Sequence, residues 1–154
     1  MRHRKLNKQE DLIKIINECD VCNVAMTSDN DPYVIPMNFA YDQGSIYLHS
    51  DPSGKKMQIL KSNNNVCLSF STGHEIVYVN HEVACSWGMK FKSVIAYGHV
   101  EFVEEQDEKV RVLNLVMKKY ANGKDDFKYS EPALRNVTVF RVVIRKMDGR
   151  VLGY

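Results

Sequence analysis

Residues 32–60 read "PYVIPMNFAYDQGSIYLHSDPSGKKMQIL". In an extended chain, Tyr33, Ile35, Met37, Phe39 and Tyr41 share one face, while Val34, Pro36, Asn38 and Ala40 share the other. A proline inside such a run removes a ladder donor and places the strand at a sheet edge or a bulge. The Asn38 face is the smaller and more polar one, as a ligand-facing surface would be. "DQGS" then turns the chain into "SIYLHS", the natural hairpin partner. After Gly54, "KKMQILKS" spaces Met57 and Leu60 for a short helix, with Ile59 beside them.

Strand signals recur outward from this hairpin. "CNVAMT" precedes it after the turn-rich "SDNDP". "NNNVCLSFST", "MKFKSVIAYGHVEFVE" and "VTVFRVVIRKM" follow it, with Gly98 marking a bend or bulge. The segment 73–87 fits a strand plus a loop. One helix is signalled near the start, with Asn7 and Glu10 at capping-box spacing and Leu12, Ile13, Ile16 and Cys19 on one face. A second is capped by Asp107, shows Val110, Leu113, Met117 and Tyr120 on one face, carries Lys118 and Lys119 in its last turn, and ends at Gly123. The expectation is a mainly β (α+β) fold, an antiparallel six-stranded split β-barrel with peripheral helices, formed by residues 1–154 as a single domain.

Composition narrows the function classes. The chain has 154 residues, 44% apolar and 26% charged, with a net charge of +2 spread along it. That is the profile of a globular protein, and no apolar run approaches the ~18–20 residues of a membrane span. A nucleic-acid binder would show a basic stripe, so no nucleic-acid partner and no membrane are expected. Residues 1–8, "MRHRKLNK", read as a basic N-terminal arm without the apolar region of a secretory signal. Four cysteines lie at 19, 22, 67 and 85. Cys19 and Cys22 form a C-x-x-C, which raises zinc and redox readings. No second pair completes a four-ligand zinc site, and the pair closes a helix where a redox motif would open one. Reduced thiols in a cytoplasmic protein and no metal site are the expectation.

The stretch between hairpin and helix carries the chemistry. His49, Ser50, Ser53, Gly54, Lys55 and Lys56 gather donors where a helix N-terminus offers unpaired backbone N–H groups, as a dianionic phosphate requires. A solvated loop capped by Ser53 would use the same residues, and no G-x-x-x-x-G-K-[ST] pattern is present.

The order "PYVIPMNFAYDQGSIYLHSDPSGKKMQIL", "NVCLSF", "ACSWGMKFKSVIAYGHVEFVE" resembles the pyridoxamine 5′-phosphate oxidase-like flavoproteins, and within them the nitroimidazole-resistance branch. The resemblance implies a split-barrel homodimer with FMN at the subunit interface and a small-molecule substrate. It places Met37 and Asn38 along the isoalloxazine, and His49, Ser50, Lys55 and Lys56 around the ribityl phosphate. Trp87 and Ser93 would close on the flavin, from the same or the partner subunit; a packed aromatic and a packed serine are the competing readings. His49 is the one candidate for a catalytic acid, beside its binding role. The terminus "MDGRVLGY" does not resemble the family's B6-binding segment, so vitamin B6 oxidation is not implied. The implied activity is flavin-dependent reduction of small electrophiles such as nitroimidazoles. Alternatives are a non-catalytic FMN- or haem-binding module, with His3, His74, His81 or His99 as axial ligand, and a structural dimer without cofactor.

Overall fold

The computed structural model describes residues 2–154. In chain order the elements are β1 (His3–Leu6), α1 (Gln9–Glu18), β2 (Cys22–Ser28), β3 (Asp31–Met37), β4 (Ala40–Asp42), β5 (Ser45–Ser50), α2 (Lys55–Ser62), β6 (Asn65–Tyr78), β7 (Trp87–Val103), α3 (Gln106–Tyr120), α4 (Glu131–Arg135) and β8 (Thr138–Leu152). The strands form one antiparallel sheet in the order β3-β2-β6-β7-β8-β5-β4, with β1 added on β8. The two ends of this order, β3 and β4, are joined in the chain by only Asn38 and Phe39. A link that short brings the sheet ends together, so the sheet curls into a split barrel whose seam lies at Asn38–Phe39.

The strand count is eight rather than six, for two physical reasons. The run 33–41 breaks at the seam into β3 and β4. The basic arm holds a strand, because His3–Leu6 finds the C-terminal residues Gly149–Leu152 as pairing partners. Pro36 sits on β3, at the end of the sheet order as its missing N–H requires. The ambiguous segment splits into the end of β6, a 3-10 turn at Ala84–Ser86 and the start of β7. A fourth helix lies between α3 and β8. Ser130 caps α4 by accepting the Ala133 N–H at 3.3 Å, and Pro132 occupies its first turn.

The helix starts differ from the capping expectations. Asn7 does not cap α1; Lys8 holds the N-cap position without a side-chain bond, since the chain needs Asn7 and Lys8 to leave β1. Asp107 falls inside the first turn of α3, after Glu105 as N-cap, where its carboxylate meets the helix dipole. The buried face of α3 is Val112, Leu113 and Val116, rotated from the expected one. Apolar residues almost encircle this helix, and its tertiary contact selects among the possible stripes.

Two apolar clusters result. The barrel interior holds Ile46, Leu48, Leu68, Phe70, Val94, Phe140 and Val142, and Leu12, Ile15 and Ile16 of α1 pack into it with the C-cap residue Cys19. On the opposite side of β5 and β8, Tyr47 and Val139 pack against Val112 and Leu113 of α3 and Leu134 of α4. Strands covered on both faces read as continuous apolar runs, as β5 does. The register of β7 on β8 shifts between Tyr97 and Gly98. A Cβ at Gly98 would collide with the Val143 carbonyl oxygen and lie 2.8 Å from Val142 Cγ1, so the strands approach there only because the residue is glycine. Among the described residues no helix is long and apolar enough to cross a membrane.

Candidate functional site

The barrel seam opens beside the end of β5 and the start of α2. A cleft of about 520 Å³ is lined there by Ile35, Pro36, Met37 and Asn38 from β3 and the seam, and by His49, Ser50 and Asp51 at the end of β5. Lys56 of α2 and Asn136–Val137, ahead of β8, complete it.

Its polar end gathers hydrogen-bond donors. Gly54 is the N-cap of α2 at φ +101°, a conformation that favours glycine, and no side chain caps this helix. The Gly54 carbonyl accepts the Met57 and Gln58 N–H groups at 3.1 and 3.2 Å. The N–H groups of Lys55 and Lys56 precede any carbonyl that could take them within the helix. The first turns of α1 and α3 carry acids, whereas that of α2 carries none. Two lysines there oppose the helix dipole, an arrangement that a bound anion reverses into a favourable one. Asp51 is the single carboxylate in the lining, and it is exposed.

His49 adds an unmet demand. Its Nδ1 is buried and has no hydrogen-bond partner among the described residues. Burial holds its imidazole below the usual histidine range, favouring the neutral ring. A buried ring nitrogen without a partner costs free energy. The Ser50 hydroxyl donates to the Asp51 carbonyl at 2.8 Å and lies 3.6 Å from Met57 Sδ, tying the strand end to α2.

Five of the eight expected site residues therefore share one cleft: Met37, Asn38, His49, Ser50 and Lys56. Lys55 lies on the same helix but its ammonium is 3.3 Å from Asp31 and 5.0 Å from the Tyr33 ring centroid. Trp87 and Ser93 lie elsewhere, on β7. Trp87 stacks on Tyr78 with centroids 4.4 Å apart and donates its indole N–H to the His81 carbonyl at 3.0 Å. Ser93 lines a separate cavity of about 420 Å³ with Lys5 and Arg150. Both belong to the β7 face opposite Val94 and Ala96, which point into the core. Trp87, Met89 and Tyr97 on that face are 40%, 44% and 36% exposed, and Ile76 and Tyr78 of β6 stand beside them by register. Trp87 and Met89 with Ile76 and Tyr78 form a contiguous exposed apolar patch at one end of this face, a hallmark of an interaction surface.

Pro36 lies on the Asn38 face that read as ligand-facing, whereas Ile35, Asp51, Asn136 and Val137 escaped sequence reasoning. Ile35 comes from the opposite face of the alternation, and Asn136 and Val137 reach the cleft from some eighty residues downstream and carry no local signal. Cys19 and Cys22 are buried free thiols. Desolvation pushes both upward, Cys22 to about 12, which keeps them protonated and unreactive.

The profile of the pyridoxamine 5′-phosphate oxidase family matches residues 8–151. The chain belongs to that family. No functionally curated protein matches this member of it. Among solved structures, a candidate 5-nitroimidazole antibiotic resistance protein from Bacteroides thetaiotaomicron is 41% identical, with a TM-score of 0.85 over 97% of this chain and 87% of that one. An FAD- and haem-binding protein from Mycobacterium smegmatis shares the fold at 14% identity, with a TM-score of 0.86 over 97% of this chain and 74% of that one. An FAD-binding protein from Mesorhizobium loti does so at 22% identity, with a TM-score of 0.72 over 99% of this chain and all of that one.

Proposed function

We propose that this family member is an FMN-binding oxidoreductase, a cytoplasmic homodimer that reduces small electrophiles such as nitroimidazoles. The observation that carries the reading is the gathering of Lys56, from the first turn of an uncapped helix, and His49 with the Met37–Asn38 seam in one cleft. The donor set fits FMN. Lys56, the α2 backbone N–H groups, Ser50 and His49 would hold the phosphate end, and Met37 and Asn38 would lie along the ring. Lys55, paired with Asp31 and outside the cleft lining, would add positive charge near the phosphate without a direct bond to it. FMN, when bound, supplies two-electron transfer to a substrate stacked on its ring.

The chain's own residues bind, orient and exclude water. Met37 and Ile35 give the cleft an apolar wall, and His49 holds a proton at one ring nitrogen beside the phosphate end. The exposed apolar patch of Trp87, Met89, Ile76 and Tyr78 supports the dimer, because a second copy docked there would bury it. The indole N–H of Trp87 is already satisfied by His81, so its ring face is what it would offer a flavin or substrate. The four histidines of the haem alternative do not converge: His74 bonds Ser71 and His99 bonds Glu101, while His3 and His81 face Phe91 and Trp87.

Mass spectrometry of the ligand released on denaturation should find FMN. Anaerobic mixing of the reduced holoprotein with a 5-nitroimidazole should reoxidise the flavin; failure across a panel of nitro compounds would remove the reductase assignment.

The His49 shift carries a pH signature. Its folded pKa lies below the unfolded value of about 6.5, so the unfolded chain takes up a proton first as pH falls. The stabilisation is complete above that value and is lost as pH falls through the folded pKa. Apoprotein melting temperature should fall between pH 7 and 5, and His49→Gln should flatten that slope; identical slopes would contradict it.

A further inference from the structure

The seam residue Asn38 is held from outside the cleft by the far end of α3. Tyr120 is the last residue of that helix. Its hydroxyl oxygen accepts the Phe39 N–H at 3.0 Å and its proton goes to the Asp20 carbonyl at 2.7 Å, with the Phe39 carbonyl at 3.3 Å. The same Asp20 carbonyl accepts the Asn38 side-chain amide N–H at 3.4 Å. One hydroxyl thus fixes the peptide that follows Asn38 and shares the acceptor that orients its side chain. The neighbouring Lys119 anchors the same two segments again, its ammonium donating to the Cys19 carbonyl and standing 3.6 Å from the Phe39 ring centroid.

This placement matters because the seam has no ladder of its own. Residues 38 and 39 fall between β3 and β4 and belong to neither strand. The backbone that lines the cleft would be the least constrained part of the barrel without an external tie. With its amide nitrogen committed to Asp20, Asn38 keeps its amide oxygen for a donor in the cleft. A flavin carries such an N–H donor on its pyrimidine edge.

We propose that Tyr120 is a positioning residue for the cleft: acting through Asp20 and the seam peptide, it sets the orientation in which Asn38 meets the flavin ring. The proposal rests on the flavin reading of the cleft and adds to it a residue that does not line the cavity.

The test is FMN titration of the apo form of the full chain carrying Tyr120→Phe, Asn38→Ala, both, or Tyr129→Phe. Tyr129 is the control, since its hydroxyl bonds Asn114 Oδ1 at 3.2 Å in the α3–α4 layer. Tyr120→Phe should weaken FMN about tenfold, the loss expected when two hydrogen bonds that fix a binding group are removed. It should also shift the visible absorption band of the flavin at saturating FMN, which a fall in global stability would not do. Asn38→Ala should weaken FMN comparably, and the double variant should be little worse than either single one, because both act through the same amide. Tyr129→Phe should bind as wild type does.

Wild-type affinity in Tyr120→Phe, additive losses in the double variant, or equal weakening by Tyr129→Phe would overturn the positioning role while leaving the cleft reading intact. A wild-type protein that takes up no FMN would overturn the cleft reading, and this inference with it.

Discussion

Replacing Lys56 by glutamate is expected to lower FMN affinity by about two orders of magnitude, whereas Lys55→Ala is expected to change it by less than about threefold. The two lysines are adjacent in sequence and indistinguishable there, but the fold separates them. Lys56 lines the cleft, while the Lys55 ammonium is engaged with Asp31 on the outside of the hairpin. Removing a charge-assisted bond to a phosphate costs about 1.5–3 kcal/mol, and the new carboxylate adds repulsion. For Lys55, the gain from reaching the phosphate is offset by the ion pair and the Tyr33 contact it gives up. Isothermal titration of the two apo variants with FMN reads the contrast directly. Equal losses at both positions would show that Lys55 swings fully into the site and that the phosphate lies further along α2.

Ile95→Lys is expected to have the second large effect, on assembly. Ile95 projects from the β7 face that also bears Trp87, Met89, Ser93 and Tyr97, while its neighbours Val94 and Ala96 pack the barrel core. The inner packing is therefore untouched and the chain keeps its fold. A lysine ammonium buried in a closed subunit contact must be desolvated with only Asp148 opposite it, a carboxylate already paired with Lys146 at 2.9 Å, at a cost of several kcal/mol, so the contact opens instead. Sedimentation velocity should show dimer for the wild type and monomer for the variant, with far-UV circular dichroism unchanged. FMN should be lost together with the dimer if Trp87 and Ser93 act on the partner's cleft. A variant that stays dimeric, or a monomer that keeps wild-type FMN affinity, would contradict this use of the β7 face.

The local features of the fold were legible because they follow from residue chemistry within short windows. Face alternation along 33–41, the edge position of Pro36 and the irregularity at Gly98 all follow from side-chain period, a missing donor and a missing Cβ. Features set by distant partners were hidden. The break at Asn38–Phe39 depends on Tyr120, some eighty residues away, and the strand at His3–Leu6 depends on the C-terminal end of β8. One miss was avoidable: "SEPALR" (130–135) carries a serine cap and a proline in the first turn, the marks of a helix start. For the site, the junction 49–56 was readable as a concentration of donors, and the structure brings Met37 and Asn38 to it. Neither the diversion of Lys55 to Asp31 nor the seat of Trp87 and Ser93 on another face has any signature in local spacing.

The binding of a flavin by its phosphate is tested most directly by titrating the apoprotein in parallel with FMN and with riboflavin, following flavin fluorescence. The two ligands share the ring and the ribityl chain and differ only in the phosphoryl group. With that group seated between Lys56, His49 and the start of α2, FMN should bind about a hundredfold more tightly than riboflavin. Equal affinities for the two ligands, or no binding of either, would contradict it.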